Sequence, residues 1–264
     1  MKFLVQQQPA YVYTGGRSFD AAKPSMLFIH GSANDHSVWS MQARYFAHHG
    51  WNVLAPDLPG HGKSFGEAKT SIAAYSEWII NLLDNGNMEK AAIVGHSMGS
   101  LIALDVSAIN SSRVSQLVLI GACAPMPVSD ELLEAATLRP AEAFDMLNIW
   151  GHSSQLRWGK NPTPGTSSMM AYKRLLQQSR PGVLAKDLAA CRAYQIDGTN
   201  LAQNRTPTLV MAAANDLLTP AKAAAALAAQ LGDGSLVIIP DAGHAMMQEA
   251  PGKVIDALKS FLKP

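Results

Sequence analysis

Short runs of apolar residues alternate along the chain with longer stretches whose apolar positions recur at helical spacing. "SMLFIHG" (25–31) is continuously apolar up to a glycine, as expected of a strand buried on both faces. "SVWSMQARYFAHHG" (37–50) predicts a helix closed by Gly50. "WNVLAPDLPGHGKS" (51–64) predicts a strand entering a Gly/Pro loop, and "SIAAYSEWIINLLDNGN" (71–87) an amphipathic helix. The rhythm continues with a strand at "KAAIVG" (90–95), a helix at "MGSLIALDVSAIN" (98–110) and a strand at "VSQLVLIGA" (114–122). It resumes with a strand at "TPTLVMAAAND" (206–216) and a helix at 219–232. For that helix Thr219 is the expected N-cap, Pro220 the first position and Gly232 the stop. A strand at 235–244 and a helix at 251–263 close the pattern. Alternating strands and helices predict an α/β fold with a mainly parallel sheet.

Between 123 and 205 no strand pattern is visible, only helical stretches and loops. The simplest organisation is one α/β core, 1–122 and 206–264, carrying an inserted helical cap over 123–205. Hydrophobic residues make up 48% of the chain and charged residues 16%, enough apolar material for a sizeable core. The net charge of +1 gives no nucleic-acid footprint or basic membrane patch. No stretch approaches the roughly 20 apolar residues of a membrane span. The apolar run after Lys2 is too short for a signal-peptide core, so the expected setting is cytoplasmic. Cys123 and Cys191 read as two buried thiols rather than a disulfide framework or zinc site.

Chemistry enters at "VGHSMGS" (94–100). Gly95-His96-Ser97-Met98-Gly99 fits G-x-S-x-G and lies where a strand meets a helix. A serine projected from so tight a turn needs neighbours without bulk. The following helix N-terminus favours negative charge developing there. The bland alternative is a turn that happens to be rich in small residues. A nucleophilic serine also needs a base and an acid that orients the base. Of eight histidines, His244 in "PDAGHAMMQEAP" follows the last predicted strand and is the expected base. His30 looks structural, and His96 should point away from the side chain of Ser97. His61 lies in the "PGHG" turn, and His36, His48, His49 and His152 have no motif around them. Asp216, just past a strand in "AAANDLLTP", is the expected acid, with Asp130 as runner-up. The order Ser97, Asp216, His244 places all three at carboxyl ends of parallel strands. An oxyanion hole needs two backbone N–H groups, expected from Met98 and from Ser32 in "HGSAN". "DLPGHGKS" (57–64) is read as architecture, its Asp57 holding backbone N–H groups.

These residues resemble the α/β-hydrolase superfamily, most of all its bacterial members with a helical cap, on "FIHGS", "DLPGHGKS", "VGHSMGS", "NDLLTP" and "DAGHAMMQEAP". The resemblance implies an eight-stranded sheet flanked by helices whose second strand is antiparallel. It also implies a Ser/His/Asp mechanism with neither metal nor organic cofactor. Relatives that open halides or epoxides carry aspartate at the elbow, where this chain has Ser97. The cofactor-free perhydrolases carry a proline shortly after His-Gly, where Ser32, Ala33 and Asn34 stand here. C–C bond hydrolases tend to Ser-Met-Gly-Gly, where this chain has Ser97-Met98-Gly99-Ser100. The expected activity is hydrolysis of short- to medium-chain carboxylic esters, the partner being the small-molecule substrate itself. C–C, lactone or thioester hydrolysis on the same residues stands as an alternative, and a non-catalytic ligand-binding protein behind that. Met126, Met146, Trp150, Trp158, Met169 and Met170 are the candidate pocket residues, their alternative role being to pack cap helices on the core.

Overall fold

The computed structural model describes residues 1–263 apart from 158, 160 and 163. Its strands are β1 (Lys2–Val5), β2 (Gln8–Tyr13), β3 (Ser25–Ile29), β4 (Asn52–Pro56), β5 (Ala91–His96), β6 (Val114–Ile120), β7 (Thr208–Ala213) and β8 (Gly234–Ile239). They form one sheet in the order β1-β2-β4-β3-β5-β6-β7-β8. β2 runs antiparallel to both β1 and β4, and every other pairing is parallel. This is the eight-stranded α/β-hydrolase arrangement that the resemblance implied.

The unbroken apolar runs have a simple cause. β3, β4, β5 and β7 are buried at every position, because helices cover both faces of the sheet. Alternate side chains then enter different layers. Leu27 and Ile29 join a layer with Tyr75, Ile79, Leu101 and Ile102, from helices α2 (Ile72–Asn85) and α3 (Met98–Ile109). Met26 and Phe28 join the opposite layer, built around Trp39, Phe46, Val254 and Leu258. Phe46 lies on α1 (Ser40–Ala47). Each fully buried Leu or Ile contributes roughly 1.5–3 kcal/mol, so both layers are needed to hold the sheet.

Among the described residues every element between β6 and β7 is helical: α4 (Asp130–Leu138), α5 (Pro140–Trp150), α6 (Ser154–Arg157), α7 (Ser168–Gln177), α8 (Val183–Ala193) and α9 (Gly198–Gln203). Leu132, Ala135, Leu147, Leu176, Leu184 and Leu188 gather there in a third apolar cluster that also takes in Ala33 from the core. After β7 come α10 (Ala221–Gln230), α11 (Met246–Glu249) and α12 (Pro251–Phe261).

Helix ends depart from expectation in two places. α1 stops at Ala47 with His48 as its cap, and Gly50, at φ 93°, turns the chain into β4. α10 starts at Ala221 behind Pro220 and ends at Gln230, with neither Thr219 nor Gly232 capping it. The Thr219 hydroxyl is engaged elsewhere, by an acid three residues earlier.

β3 and β5 are neighbours, and the chain leaves them toward opposite sides of the sheet, to β4 and to β6. Their loops therefore diverge and leave a crevice at the carboxyl edge, where open α/β sheets place their sites.

Candidate active site

Ser97 is the single residue between β5 and α3, at φ 55° and ψ −120°. A side chain held at positive φ stores about 1–3 kcal/mol, which the surroundings must offset. Its N–H donates to the Ile120 carbonyl at 2.9 Å, and its carbonyl accepts the Ser100 N–H at 2.8 Å and the Ser100 hydroxyl at 2.5 Å. The flanking glycines are required by contact distance. A Cβ on Gly95 would stand 2.1 Å from the Gly99 carbonyl oxygen, and one on Gly99 would stand 2.3 Å from that of Ile29. The Met98 N–H opens α3, so it has no partner within the helix and sits at the positive end of the helix dipole.

His244 lies in the loop after β8. Its Nδ1–H donates to Asp216 Oδ2 at 2.8 Å, with the histidine and aspartate side chains 4% and 0% exposed. Asp216 Oδ1 accepts the N–H groups of Leu218 and Thr219, both at 2.8 Å. Thr219 donates its hydroxyl to Asp216 Oδ2 at 2.6 Å, and the Thr219 hydroxyl oxygen lies 3.1 Å from His244 Nδ1. Burial pushes the Asp216 carboxyl up. The charge of His244 and the hydrogen bonds from His244 and Thr219 outweigh burial and hold it below its ordinary value. The acid is thus ionised and aimed at Nδ1, which leaves Nε2 for a proton from elsewhere. The Thr219 hydroxyl therefore serves the acid and not the helix cap that the sequence pattern predicts. The available signal was the Asx turn of Asp216, which folds residues 218 and 219 back over the carboxylate.

Gly121, at φ 56°, makes room for the imidazole, because a Cβ there would lie 2.9 Å from His244 Cε1. His96 donates Nε2–H to the His244 carbonyl at 2.9 Å, with ring centroids 4.6 Å apart. Burial and the neighbouring His244 push His96 down to about 3, so it is a neutral support for the His244 loop. A second support is Glu249, whose carboxylate accepts the Gly243 and Ser153 N–H groups, both at 3.0 Å.

Across the crevice, residues 31–34 form a turn closed by the Asn34 N–H on the Gly31 carbonyl at 3.2 Å. Ala33 has φ 54° while Ser32 keeps a negative φ, which defines a type II turn. The Ser32 N–H bonds nothing within such a turn. A Cβ on Gly31 would lie 3.1 Å from the Ser97 Cβ, so this turn and the elbow are in contact. The Ala33 N–H is held by Asp187 of α8 at 2.9 Å.

Ser32, Asn34, Ser97, Thr219 and His244 line one cavity of about 50 Å3, together with Met126, Val128, Leu132, Leu147, Tyr172, Leu188 and Leu218. The structure therefore brings Ser97 and His244 to one space. Of the sequence-predicted pocket residues, Met126 is in its wall. Met146 and Trp150 instead pack against the third apolar cluster, Met169 is half-buried away from the cavity wall, and Met170 is 65% exposed. Trp158 falls outside the described residues. The leucines of α4, α5 and α8 that do line the cavity were missed, because a helix's inward face cannot be told from its bundle-packing face without the partner helices. Tyr172 accepts a hydrogen bond from Asn34, and burial pushes its hydroxyl up to about 12.

The remaining histidines and acids have other work. His30 donates Nδ1–H to the Gly31 carbonyl and accepts the Leu58 N–H at Nε2, and burial with nearby His61 pushes it down to about 4. Asp57 accepts N–H groups of His36 and Lys63 and the His36 ring, as architecture requires. Asp35, His36 and Asp57 bring ligand-type atoms within 4.8 Å of one another, but the Asp57 oxygens are already taken up by these donors. The runner-up acid Asp130 is exposed on α4 and pairs with Arg192. Cys123 and Cys191 are free and buried.

The chain belongs to the alpha/beta hydrolase family, whose pattern matches residues 26–257. It is 29% identical to a pimeloyl-[acyl-carrier protein] methyl ester esterase of Aromatoleum aromaticum, over 87% of this chain and 94% of that one. It is 26% identical to 3-oxoadipate enol-lactonase 1 of Acinetobacter baylyi, over 91% and 89% of the two chains. In structure it is similar to the enol-lactonase of Burkholderia xenovorans, with a TM-score of 0.89 over 99% of each chain at 18% identity. The protein is therefore a hydrolase of this family. Among the described residues no helix is long and apolar enough to cross a membrane.

Proposed function

We propose that the protein hydrolyses carboxylic esters of short acyl chain through a Ser97–His244–Asp216 triad and an acyl-enzyme. The observation that carries this is the strained Ser97 on the same cavity as a His244 whose Nδ1–H is fixed by Asp216. Ser97 Oγ adds to the ester carbonyl carbon and His244 Nε2 takes its proton. The tetrahedral oxyanion is met by the N–H groups of Ser32 and Met98, each worth about 3 kcal/mol of barrier. The carbon–oxygen bond to the alcohol breaks as His244 returns the proton to the leaving oxygen. Water then adds to the acyl carbon, His244 takes one of its protons, and Ser97 leaves with that proton.

The helical segment 123–205 is the cap in this reading, because Met126, Leu132, Leu147, Tyr172 and Leu188 come from it. A cavity of about 50 Å3 is a third of the ~150 Å3 that holds benzene, which favours acetyl and propionyl groups. Medium chains need the wall to yield, and Met126 is the adaptable element there. Two unpaired buried thiols fit the reducing setting expected of a cytoplasmic enzyme.

A lactone is an internal ester, and the 26% identity to an enol-lactonase makes lactone opening the second reading. A series of p-nitrophenyl esters from acetate to octanoate, beside simple lactones, tests both. The account expects a maximum at two to four carbons. Turnover only of long chains, or of lactones alone, would overturn the short-chain ester assignment.

A further inference from the structure

Asp187 is a buried acid that ties the helical segment to the strand loops. It is fully buried on α8, 154 residues in sequence from the Ala33 whose N–H it accepts. Its two oxygens take three donors from three parts of the core. Oδ2 accepts the Ala33 N–H at 2.9 Å and His61 Nε2–H at 2.8 Å, and Oδ1 accepts the Tyr75 hydroxyl at 2.8 Å. His61 also donates Nδ1–H to the Pro59 carbonyl at 3.0 Å. Both of its ring nitrogens face acceptors, an arrangement in which both can donate only when the ring carries two protons.

What Asp187 grips is the turn beside Ser97. A type II turn asks for glycine at its third position, and here that position is Ala33 at φ 54°. The central peptide of such a turn is flipped relative to a type I turn, which fits an alanine better. The flip turns the Ala33 N–H toward Asp187, and the carboxylate is the partner that rewards it. The Ser32 N–H, one peptide before the flipped one, has no partner within the turn, and the Asp187 bond to Ala33 anchors the peptide next to it.

α8 is itself fixed on the core. Arg180, just before it, donates to the carbonyls of Ser64 at 2.5 Å and Gly66 at 3.2 Å, and Lys186 pairs with Glu67 at 2.9 Å. The acid is thus a fixed point, not a passenger on a loose helix.

We infer that Asp187 is a positioning residue for the oxyanion hole: from the helical segment it holds the 31–34 turn in the strained form that presents the Ser32 N–H. This rests on the serine-hydrolase reading above. Its consequence is that hydrolysis depends on the insertion for transition-state binding and not for substrate shape alone.

The test compares wild type, Asp187→Asn, Ala33→Gly and the double variant on p-nitrophenyl acetate, with fluorophosphonate labelling of Ser97 alongside. A misplaced donor costs roughly 100-fold in rate. Asp187→Asn should lower kcat by about that factor with KM changed by less than about threefold, and slow the labelling in parallel. Glycine adopts positive φ without help. Ala33→Gly should therefore restore roughly tenfold of the lost kcat in the Asp187→Asn background, while leaving the melting temperature of that background low. A purely structural role would not give that split. If Asp187→Asn does not fold, Asp187→Glu, which keeps the charge but displaces the oxygens, is read the same way. Wild-type kcat in the variant, or no rescue by glycine, overturns the positioning role while labelled wild type leaves the triad standing. A wild type that neither turns over the ester nor labels at Ser97 overturns both.

Discussion

The sheet and the helical segment between β6 and β7 meet at one cavity but reach it by different kinds of contact. The sheet supplies groups whose place is dictated within a few residues. Ser97 is fixed by Gly95 and Gly99, and Asp216 by its own Asx turn with Leu218 and Thr219. The segment supplies groups whose place depends on distant partners. Leu147 and Leu188 line the cavity only because α5 and α8 pack on α4 and α7, and Asp187 matters only because Ala33, His61 and Tyr75 converge on it. In the proposed mechanism the bond-making groups are therefore placed locally, and substrate fit and final alignment depend on tertiary packing.

Variants on the two sides should separate accordingly. The largest effect is expected on the sheet side. His244→Ala should lower kcat for p-nitrophenyl acetate by on the order of 10⁴–10⁶ with little change in melting temperature, since members of a triad fail as a unit. Thr219→Val comes next. It removes a hydrogen bond to a charged carboxylate, worth about 1.5–3 kcal/mol. The kcat should fall roughly 10- to 100-fold, and the Asp216 carboxyl should titrate higher. An unchanged rate would assign Thr219 to the turn alone.

On the helical side the expected change is in selectivity. Leu188→Ala enlarges the cavity and should move the preferred acyl chain one or two carbons longer, at about 2–5 kcal/mol of stability. A loss of rate without a shift in chain preference would mean that Leu188 packs the segment and does not shape the pocket.

The smallest effect concerns pH. Burial pushes His61 down, but the charge and hydrogen bond of Asp187 outweigh it and raise it above its ordinary value, with Asp57 adding to the effect. His30 and Tyr75 complete the surroundings of the ring. A raised histidine contributes stability that is whole below about pH 6.5 and is lost as pH rises through the folded value. Wild type should lose more stability than His61→Asn between neutral and mildly alkaline pH in urea melts. Parallel curves would show that the ion pair adds nothing.

The same contrast explains what was legible in the sequence. The parallel strands, the elbow and the order Ser97, Asp216, His244 could be read because strand period, glycine placement and turn chemistry are local signals. β1 and β2 are short and partly exposed, so their pattern was weak and only the family resemblance implied them. Thr219 was hidden by a second plausible use, capping α10. Asp187 gave no sequence signal at all, since one acid in a helix looks the same whether solvated or gripping a turn 154 residues away. Of the predicted methionines and tryptophans only Met126 lines the cavity among the described residues, since residue type does not say which side of a helix faces it, and Leu132, Leu147 and Leu188 do so by position.

The most direct measurement is labelling with a fluorophosphonate followed by peptide mapping, with ester hydrolysis followed on the same samples. The account predicts one adduct, on Ser97, that is absent in Ser97→Ala together with turnover of p-nitrophenyl acetate. An adduct on another residue, or a Ser97→Ala variant that still hydrolyses the ester at the wild-type rate, would contradict it.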